Sequence, residues 1–421
     1  MEKRVNNGIT LIALVITIIV LLILAGVAIA TLAGDNGILI KAQEAKNKTE
    51  ETGDIEKINL AILEAQIEKN TYQGLNQDNL QEAINNQFRG RNVVVLDNGD
   101  GTFTVSCLDV LKDYIISESE IKQGIDWNEA MRNAVAPKSQ DEVRNEGTIG
   151  IGTDGKPVDM DLWEYVLLED KTFALNDEEA LNDTNKTPGY KFGDDGENII
   201  DGKIIGKVPQ YISIDGGKTY QPVTDLTCTF CENTYLRYAP FIPLTVTNMP
   251  KTFIRCYNLE RLENFSPKAI DIGAACKSTK IESIPYIPNS VINMANAFDS
   301  CSELKNITNI PKNVINISQA FFNCTKLSNI NIEIPSTVTN MYMCFASCNA
   351  LSGTIIVKSM IGTQLDYHGC FGNAAISDNA QLTLKCSENF YNLIYDGTRP
   401  NNIKQGIANW EANIILLCIL S

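Results

Sequence analysis

Hydrophobic positions are spaced along this chain in three ways, and each spacing predicts a different element. From Ile9 to Ala33 the residues are apolar apart from Thr10, Thr17, Gly26 and Thr31. At about 1.5 Å per helical residue the run spans roughly 37 Å, enough for a hydrocarbon core of about 30 Å. A cleaved secretory core is shorter, about 7–15 residues, so the run predicts a transmembrane helix. Lys3 and Arg4 precede it, which keeps the N-terminus cytoplasmic and sends the rest of the chain outside. Gly34-Asp35-Asn36-Gly37 then breaks the helix. Beyond it, Ile55, Ile58, Ile62 and Ala65 recur at helical spacing with Glu56, Lys57 and Glu64 on the other faces, which predicts a stalk helix.

The second pattern is short and alternating. Val93–Leu96 and Thr102–Val105 flank Asp97-Asn98-Gly99-Asp100-Gly101, two β-rich runs about an Asx-Gly turn, and predict a hairpin. Asp126 with Glu129 three residues on has the form of an N-cap and its partner, so a helix should start there. From Pro137 to Gly217 the chain is rich in Gly, Asp and Asn, with short strand-like pieces at Leu162–Leu168 and Tyr211–Ile214. The acidic loops Asp97–Thr102 and Gly193–Gly202 carry several carboxylates near glycines, as calcium sites do. Neither follows the EF-hand pattern, and turn chemistry accounts for both.

The third pattern is a repeat. Val246 is followed by Met249, Phe253, Cys256, Leu259 and Leu262. The same offsets recur from Val291 (Met294, Phe298, Cys301, Leu304, Ile307), Val314 (Ile317, Phe321, Cys324, Leu327, Ile330) and Val338 (Met341, Phe345, Cys348, Leu351, Thr354). A weaker copy begins at Val223, with Leu226, Phe230, Asn233 and Leu236. A degenerate one begins at residue 268, with Ser278 in the cysteine position, then Ile281 and Ile284. One such unit cannot bury its Phe and Leu alone; stacked units build a continuous core. Within each unit the Leu-x-x-Ile segment reads as a strand, closed by Pro288, Pro311 or Pro335. Residues flanking the second strand hydrophobe should point outward by alternation onto a concave binding face: Arg261, Glu263, Ser283, Asn306, Thr308, Asn329 and Asn331.

Two stretches resemble known families. Lys3-Arg4-Val5-Asn6-Asn7-Gly8-Ile9-Thr10-Leu11-Ile12 is similar to the leader of type IV prepilins, which implies processing by a prepilin peptidase between Gly8 and Ile9 and association with other pilins. Ala13 stands where that family carries the Glu used in assembly, which argues against polymerisation into a pilus. Ile334-Pro335-Ser336-Thr337-Val338-Thr339-Asn340-Met341 followed by Cys344-Phe345-Ala346-Ser347-Cys348 resembles the unit of BspA-like leucine-rich repeats of bacterial and protist surface proteins. That resemblance implies surface display and adhesion.

Composition narrows the function classes. Acidic residues outnumber basic ones, 51 to 35, giving a net charge of −16, which excludes a phosphate-backbone partner, so no nucleic acid is expected. A single histidine, His368, leaves little scope for histidine chemistry. No nucleophile elbow, P-loop, zincin motif or dinucleotide fingerprint is present, so no enzyme, no catalytic residue, no metal and no cofactor is expected. Of the twelve cysteines, Cys256, Cys301, Cys324 and Cys348 fall in the repeat as an inward ladder and read as buried thiols. Coil spacing by itself does not exclude a bridge between Cys301 and Cys324 or between Cys324 and Cys348. Cys228-Thr229-Phe230-Cys231 is a C-x-x-C without a second half, and its Phe is a repeat core position.

The expected architecture is α+β, in seven parts. These are a leader (1–8), a transmembrane helix (9–33), a helical stalk (34–70), a small pilin-head-like α/β region (71–125) and an acidic Gly/Asp-rich β module with linker (126–222). Repeats follow (223–358), making a solenoid of six to seven coils of 22–24 residues, then an irregular last coil with a C-terminal cap (359–421). Ile414–Leu420 is too short to span a bilayer and reads as a capping strand or stays unexplained. The expected protein is single-pass in a bacterial cell membrane, with its C-terminal part extracellular and an extracellular protein or glycan as ligand.

Overall fold

The computed structural model describes residues 38–67, 75–117, 120–134, 147–176, 188–358, 366–399, 403–404, 406–408 and 412–419. The leader with Gly8 and Ile9, and the apolar run 9–33, lie outside the described residues. Among the described residues no helix is long and apolar enough to cross a membrane. The chain divides into two units, Met1–Gly90 and Arg91–Ser421.

The first unit contains α1 (Ile38–Ile67) and α2 (Gln77–Gln87). Ile58, Ala61, Ile62 and Ala65 of α1 are buried, as are Leu80, Ala83 and Ile84 of α2, so the two helices pack through the stripe the spacing predicted. Asn76 caps α2 by accepting from the Asn79 amide. Glu64 accepts from Asn86 Nδ2 (2.7 Å) and Gln87 Nε2 (2.8 Å), tying the end of α2 to α1.

The second unit opens with the antiparallel sheet β1 (Val93–Asp97), β2 (Phe103–Cys107), β3 (Lys112–Ile116) and β4 (Ile121–Asp126). Val93 pairs with Cys107 and Asp97 with Phe103, which is the predicted hairpin. Its turn engages one oxygen of each carboxylate: Asp97 accepts from the Gly99 amide, and Asp100 from the amide and hydroxyl of Thr102. Asp126 caps α3 (Trp127–Asn133) by accepting from the Glu129 amide at 3.0 Å, as its spacing with Glu129 predicted.

Next come β5 (Ile149–Gly152), β6 (Pro157–Val158), β7 (Val166–Leu167), β8 (Phe173–Ala174), β9 (Ile199–Ile200), β10 (Lys203–Ile204), β11 (Pro209–Ser213) and β12 (Gln221–Asp225). Six of these form a sheet in the order β6-β5-β11-β12-β8-β7. Of the predicted stretch Leu162–Leu168 only Val166–Leu167 is strand, while the prediction at Tyr211 falls within β11. This sheet is continuous with the repeats, because β12 runs into the first coil and shares its core with Trp163, Phe173, Leu175 and Tyr190.

The repeats form a stack. Asp225, Asn248, Asp271, Asn293, Asn316, Asn340 and Asp366 make a ladder of parallel bridges, one rung per coil. Between neighbouring coils the amides of alternate residues donate forward. Met294, Asn296, Phe298 and Ser300 donate to the carbonyls of Asn316, Ser318, Ala320 and Phe322 at 2.8–2.9 Å. Pointing every second amide the same way puts two residues per coil at positive φ. These are Asn296 and Ser300 (56° and 61°), Gln319 and Asn323 (52° and 58°), and Met343 and Ser347 (49° and 61°). A β-branched residue resists that conformation, and none occupies either position in any coil.

Regular strands appear only late in the stack: β13 (Ile330–Ile334), β14 (Gly353–Val357), β15 (Leu382–Ser387) and β16 (Ile414–Ile419), all parallel. The expected Leu-x-x-Ile strands of the earlier coils are corrected here. Those coils place core residues three apart (Leu262 and Phe265, Ile284 and Ile287, Ile307 and Ile310), whereas β13 buries Ile330, Ile332 and Ile334 at the two-residue period of a strand. Pro335 follows β13 directly and ends it. The seventh rung, Asp366, belongs to the coil that carries Cys370 and Phe371, and α4 (Glu388–Ile394) separates β15 from β16. The Ile414–Ile419 stretch is therefore a strand paired with β15.

The degenerate coil is also corrected, by one residue. Cys276 donates to the Ala297 carbonyl just as Phe298 donates to Ala320, and Ala274 and Ser278 hold the positive-φ positions. This coil therefore starts at Ala269, with Cys276 in the phenylalanine position and Thr279, not Ser278, in the cysteine position; one residue is lost after Thr279.

Candidate functional site

The stack presents its side chains from a rigid interior. Phe230 and Phe253 stack at 5.2 Å, Phe298 and Phe321 at 5.6 Å, Phe321 and Phe345 at 5.4 Å, and Phe345 and Phe371 at 5.8 Å, with ring planes within 10°. The column is interrupted where Cys276 replaces a ring, and there Phe265 meets Phe298 edge-on at 6.2 Å. At its first end Trp163 (6.0 Å) and Tyr190 (5.9 Å) cover Phe230. The thiols of Cys256, Cys324 and Cys348 donate to the carbonyls of Phe230, Phe298 and Phe321, one coil back, at 2.9–3.2 Å. Cys301 donates to Cys276, which fills the same position. Burial pushes the Cys256, Cys301 and Cys348 thiols up to about 12 and Cys324 well above its ordinary value. These four are free and buried, and so unreactive. The C-x-x-C is different: Cys228 and Cys231 are joined by a disulfide within the first coil, a bridge the sequence reading did not propose.

The seven residues assigned to a binding face are all exposed, and the coils bring them into two rows. Arg261, Ser283, Asn306 and Asn329 hold one position on successive coils; Glu263, Thr308 and Asn331 hold the position two residues on. Arg261 pairs with Glu263 at 3.2 Å. Asn329 donates its amide to Ser352 Oγ (2.9 Å), and Thr308 Oγ1 lies 3.1 Å from Asn309 Oδ1. Beside the first row runs a line of charges that the sequence reading missed, with Arg237 paired to Glu260 at 2.9 Å and Lys305 to Glu282 at 2.5 Å.

The second row continues across the late strands, where Asn331 is in register with Thr354, Thr383 and Ile415; two residues on, Glu333 begins a separate row with Ile356, Lys385 and Leu417. The surface therefore changes along its length. It is ion-paired at Arg261 and Glu263, neutral and polar from Ser283 to Asn331, and apolar at Ile415 and Leu417, which are 43% and 44% exposed. Alternation within 353–357 and 382–387 was the signal that could have extended the assignment. His368 is exposed, with Nδ1 3.1 Å from Asp366 Oδ1, and has no placement that suggests catalysis.

A seven-rung Asx ladder, a phenylalanine column and coils of 22–26 residues define a solenoid of leucine-rich-repeat type. Residues 230–378 match the model of the family described as BspA type leucine rich repeat region, in six copies. A solved leucine-rich repeat protein from Bacteroides ovatus ATCC 8483 is similar over 61% of this chain and 77% of its own, at 12% identity and a TM-score of 0.24. No curated protein matches the chain. The assignment of the repeats rests on the family match and on the coil geometry.

Proposed function

We propose that this is a membrane-anchored cell-surface protein whose solenoid binds an extracellular protein or glycan through the exposed rows from Arg261 to Asn331. The apolar run 9–33 is its single-pass anchor, with the C-terminal part outside a bacterial cell. The observation that carries the reading is the pair of exposed polar rows on successive coils, neutral from Ser283 to Asn331. Amide and hydroxyl groups repeated once per coil offer hydrogen bonds at regular spacing without a charge to select against uncharged ligands. Nothing in these rows pairs a nucleophile with a base, which supports binding over catalysis.

The test uses full-length protein in lipid nanodiscs against glycan and matrix-protein arrays. Asn306→Ala with Asn331→Ala should weaken the captured ligand at least tenfold while the thermal transition stays in place. No binding to any class by a folded protein would overturn the reading.

A second reading, a minor pilin or pseudopilin, is favoured by Gly8-Ile9-Thr10-Leu11 and opposed by Ala13. Mass spectrometry of the N-terminus from the native membrane decides it: a mature, N-methylated Ile9 supports processing by a prepilin peptidase, and an intact Met1 removes it.

A further inference from the structure

Two of the free thiols stand side by side on neighbouring strands. In the parallel pair of β15 and β16, Cys386 is in register with Cys418, as Leu382 is with Ile414 and Leu384 with Leu416. Residues two apart on a strand share a face. Leu382, Leu384, Cys386 and Ile414 are buried and Leu416 is half-buried, so Cys386 and Cys418 both belong to the inner face. Neighbouring strands lie about 4.8 Å apart, inside the Cα separation of roughly 4.4–6.8 Å that a disulfide spans.

Access separates this pair from the other thiols. Cys256, Cys301, Cys324 and Cys348 are buried and donate to carbonyls of the coil before. Cys344 and Cys370, on adjacent coils, are both fully buried. No hydrogen bond among the described residues holds the Cys386 thiol, and Cys418 is exposed. One member of the pair can therefore meet an oxidant, and the other lies beside it to resolve the product. The first coil already carries one bridge, Cys228–Cys231, of the kind expected of a chain kept in an oxidising compartment.

We infer that Cys386 and Cys418 are a redox site, oxidised by a low-molecular-weight disulfide to an intramolecular bridge that fastens β16 to β15. The Cys418 thiolate attacks one sulfur of the small disulfide and expels the other as a thiolate, leaving a mixed disulfide on Cys418. Cys386 gives its proton to water and attacks Cys418 Sγ. The protein S–S bond forms as the bond to the small thiol breaks, and the second thiolate leaves. Two protein thiols are oxidised and one small disulfide is reduced to two thiols. Burial pushes the Cys386 thiol up to about 12. The first attack therefore belongs to Cys418, and the resolving step is the slower one and quickens as pH rises. The site stands independently of the ligand bound between Ser283 and Asn331.

The probe is glutathione disulfide, added to the folded full-length chain after mild reduction; remaining thiols are then alkylated and the cysteines mapped by mass spectrometry. The native chain should give glutathione on Cys418 first and then a peptide linking Cys386 to Cys418, with the second step faster in mildly alkaline than in neutral buffer. Cys386→Ala should keep the glutathione on Cys418, and Cys418→Ser should leave Cys386 unmodified. Amide exchange across β16 should slow about tenfold or more in the bridged chain. Should Cys386→Ala fail to fold, the linked peptide and the exchange of the native chain carry the test. A Cys418 that does not react, a native chain that holds glutathione on Cys418 with Cys386 still reduced, or a bridge that leaves exchange across β16 unchanged would overturn the inference.

Discussion

The early coils, from Val223 to about Ile310, and the late ones, from Ile330 to Ile419, share a phenylalanine column and an Asx ladder but are stitched together differently along the exposed face. In the late coils the backbone does the stitching: β13 to β16 form a continuous parallel ladder. In the early coils core residues three apart break the strand period: isolated backbone bonds remain, such as the Lys305 amide to the Glu282 carbonyl at 3.0 Å, and side-chain amides take over where the strand would continue. Asn264 Oδ1 accepts from the Ile242 amide at 2.8 Å while its Nδ2 donates to the Ile242 carbonyl at 3.0 Å. Asn309 does the same to Ile287, at 2.9 and 2.7 Å. Each asparagine thus stands in for a peptide unit and satisfies a donor and an acceptor that the missing strand would leave unpaired. One spacing change, from three to two, decides which device a coil uses.

The comparison can be broken where the two halves agree. Phe321 is stacked between Phe298 and Phe345, so Phe321→Ala should cost about 3–5 kcal/mol and loosen both halves together. Denaturant titration measures it. Loss confined to one half would mean that the column is not continuous across the boundary.

Where the halves differ, it can be sharpened. Asn264→Ala or Asn309→Ala leaves a backbone amide and carbonyl without partners and should cost about 1–3 kcal/mol. Asn331→Ala, on a coil whose backbone is already paired, should change stability by less than about 0.5 kcal/mol.

A third comparison uses the sheet β1–β4 as an outside reference. Asp113 is buried and accepts from Ser106 Oγ at 2.6 Å and Trp127 Nε1 at 3.0 Å. Burial pushes its carboxyl up to about 6, against the lowering effect of those two bonds. A folded-state value above the unfolded one means its contribution is fully present in acid, below the usual carboxylate range, and is lost as pH rises through about 6. Unfolding followed at Trp127 should therefore show stability falling between pH 4 and 7, with the slope flattened in Asp113→Asn. The smallest effect is expected at the exposed ion pairs: Lys305→Ala, which breaks the contact with Glu282, should stay within about 0.5 kcal/mol of the native chain at moderate salt.

The period of the solenoid was legible because Val, Met, Phe, Cys and Leu recur where the coil buries them. The inward placement of Cys256, Cys301, Cys324 and Cys348 followed from the same offsets. The register of the degenerate coil was not legible, because Ala275, Cys276, Ser278 and Thr279 are all small and no large residue marks the phenylalanine position. The strand assignment failed for a reason that was in the sequence: Ile307 and Ile310 are three apart, and Pro285 and Pro288 withhold amides in the coil before. The Asx ladder was visible as Asn or Asp two residues after each starting apolar position, yet its capping role depends on geometry. Asn316, for example, accepts from the Ser318 amide at 3.0 Å. The Cys228–Cys231 bridge was hidden because Phe230 between them reads as ordinary core. Of the surface, the polar rows were legible by alternation, whereas the apolar continuation of the second row on Ile415, with Leu417 beside it, became visible only once β16 was placed beside β15.

Amide hydrogen exchange by mass spectrometry on the full-length chain and on Asn309→Ala tests the account most directly. The account predicts that Asn309→Ala loses protection around Ile287 and Ile310 while peptides covering β14 and β15 exchange as in the native chain. Equal loss of protection across both regions, or none around Ile287, would contradict the claim that side-chain amides stitch the early coils and backbone strands the late ones.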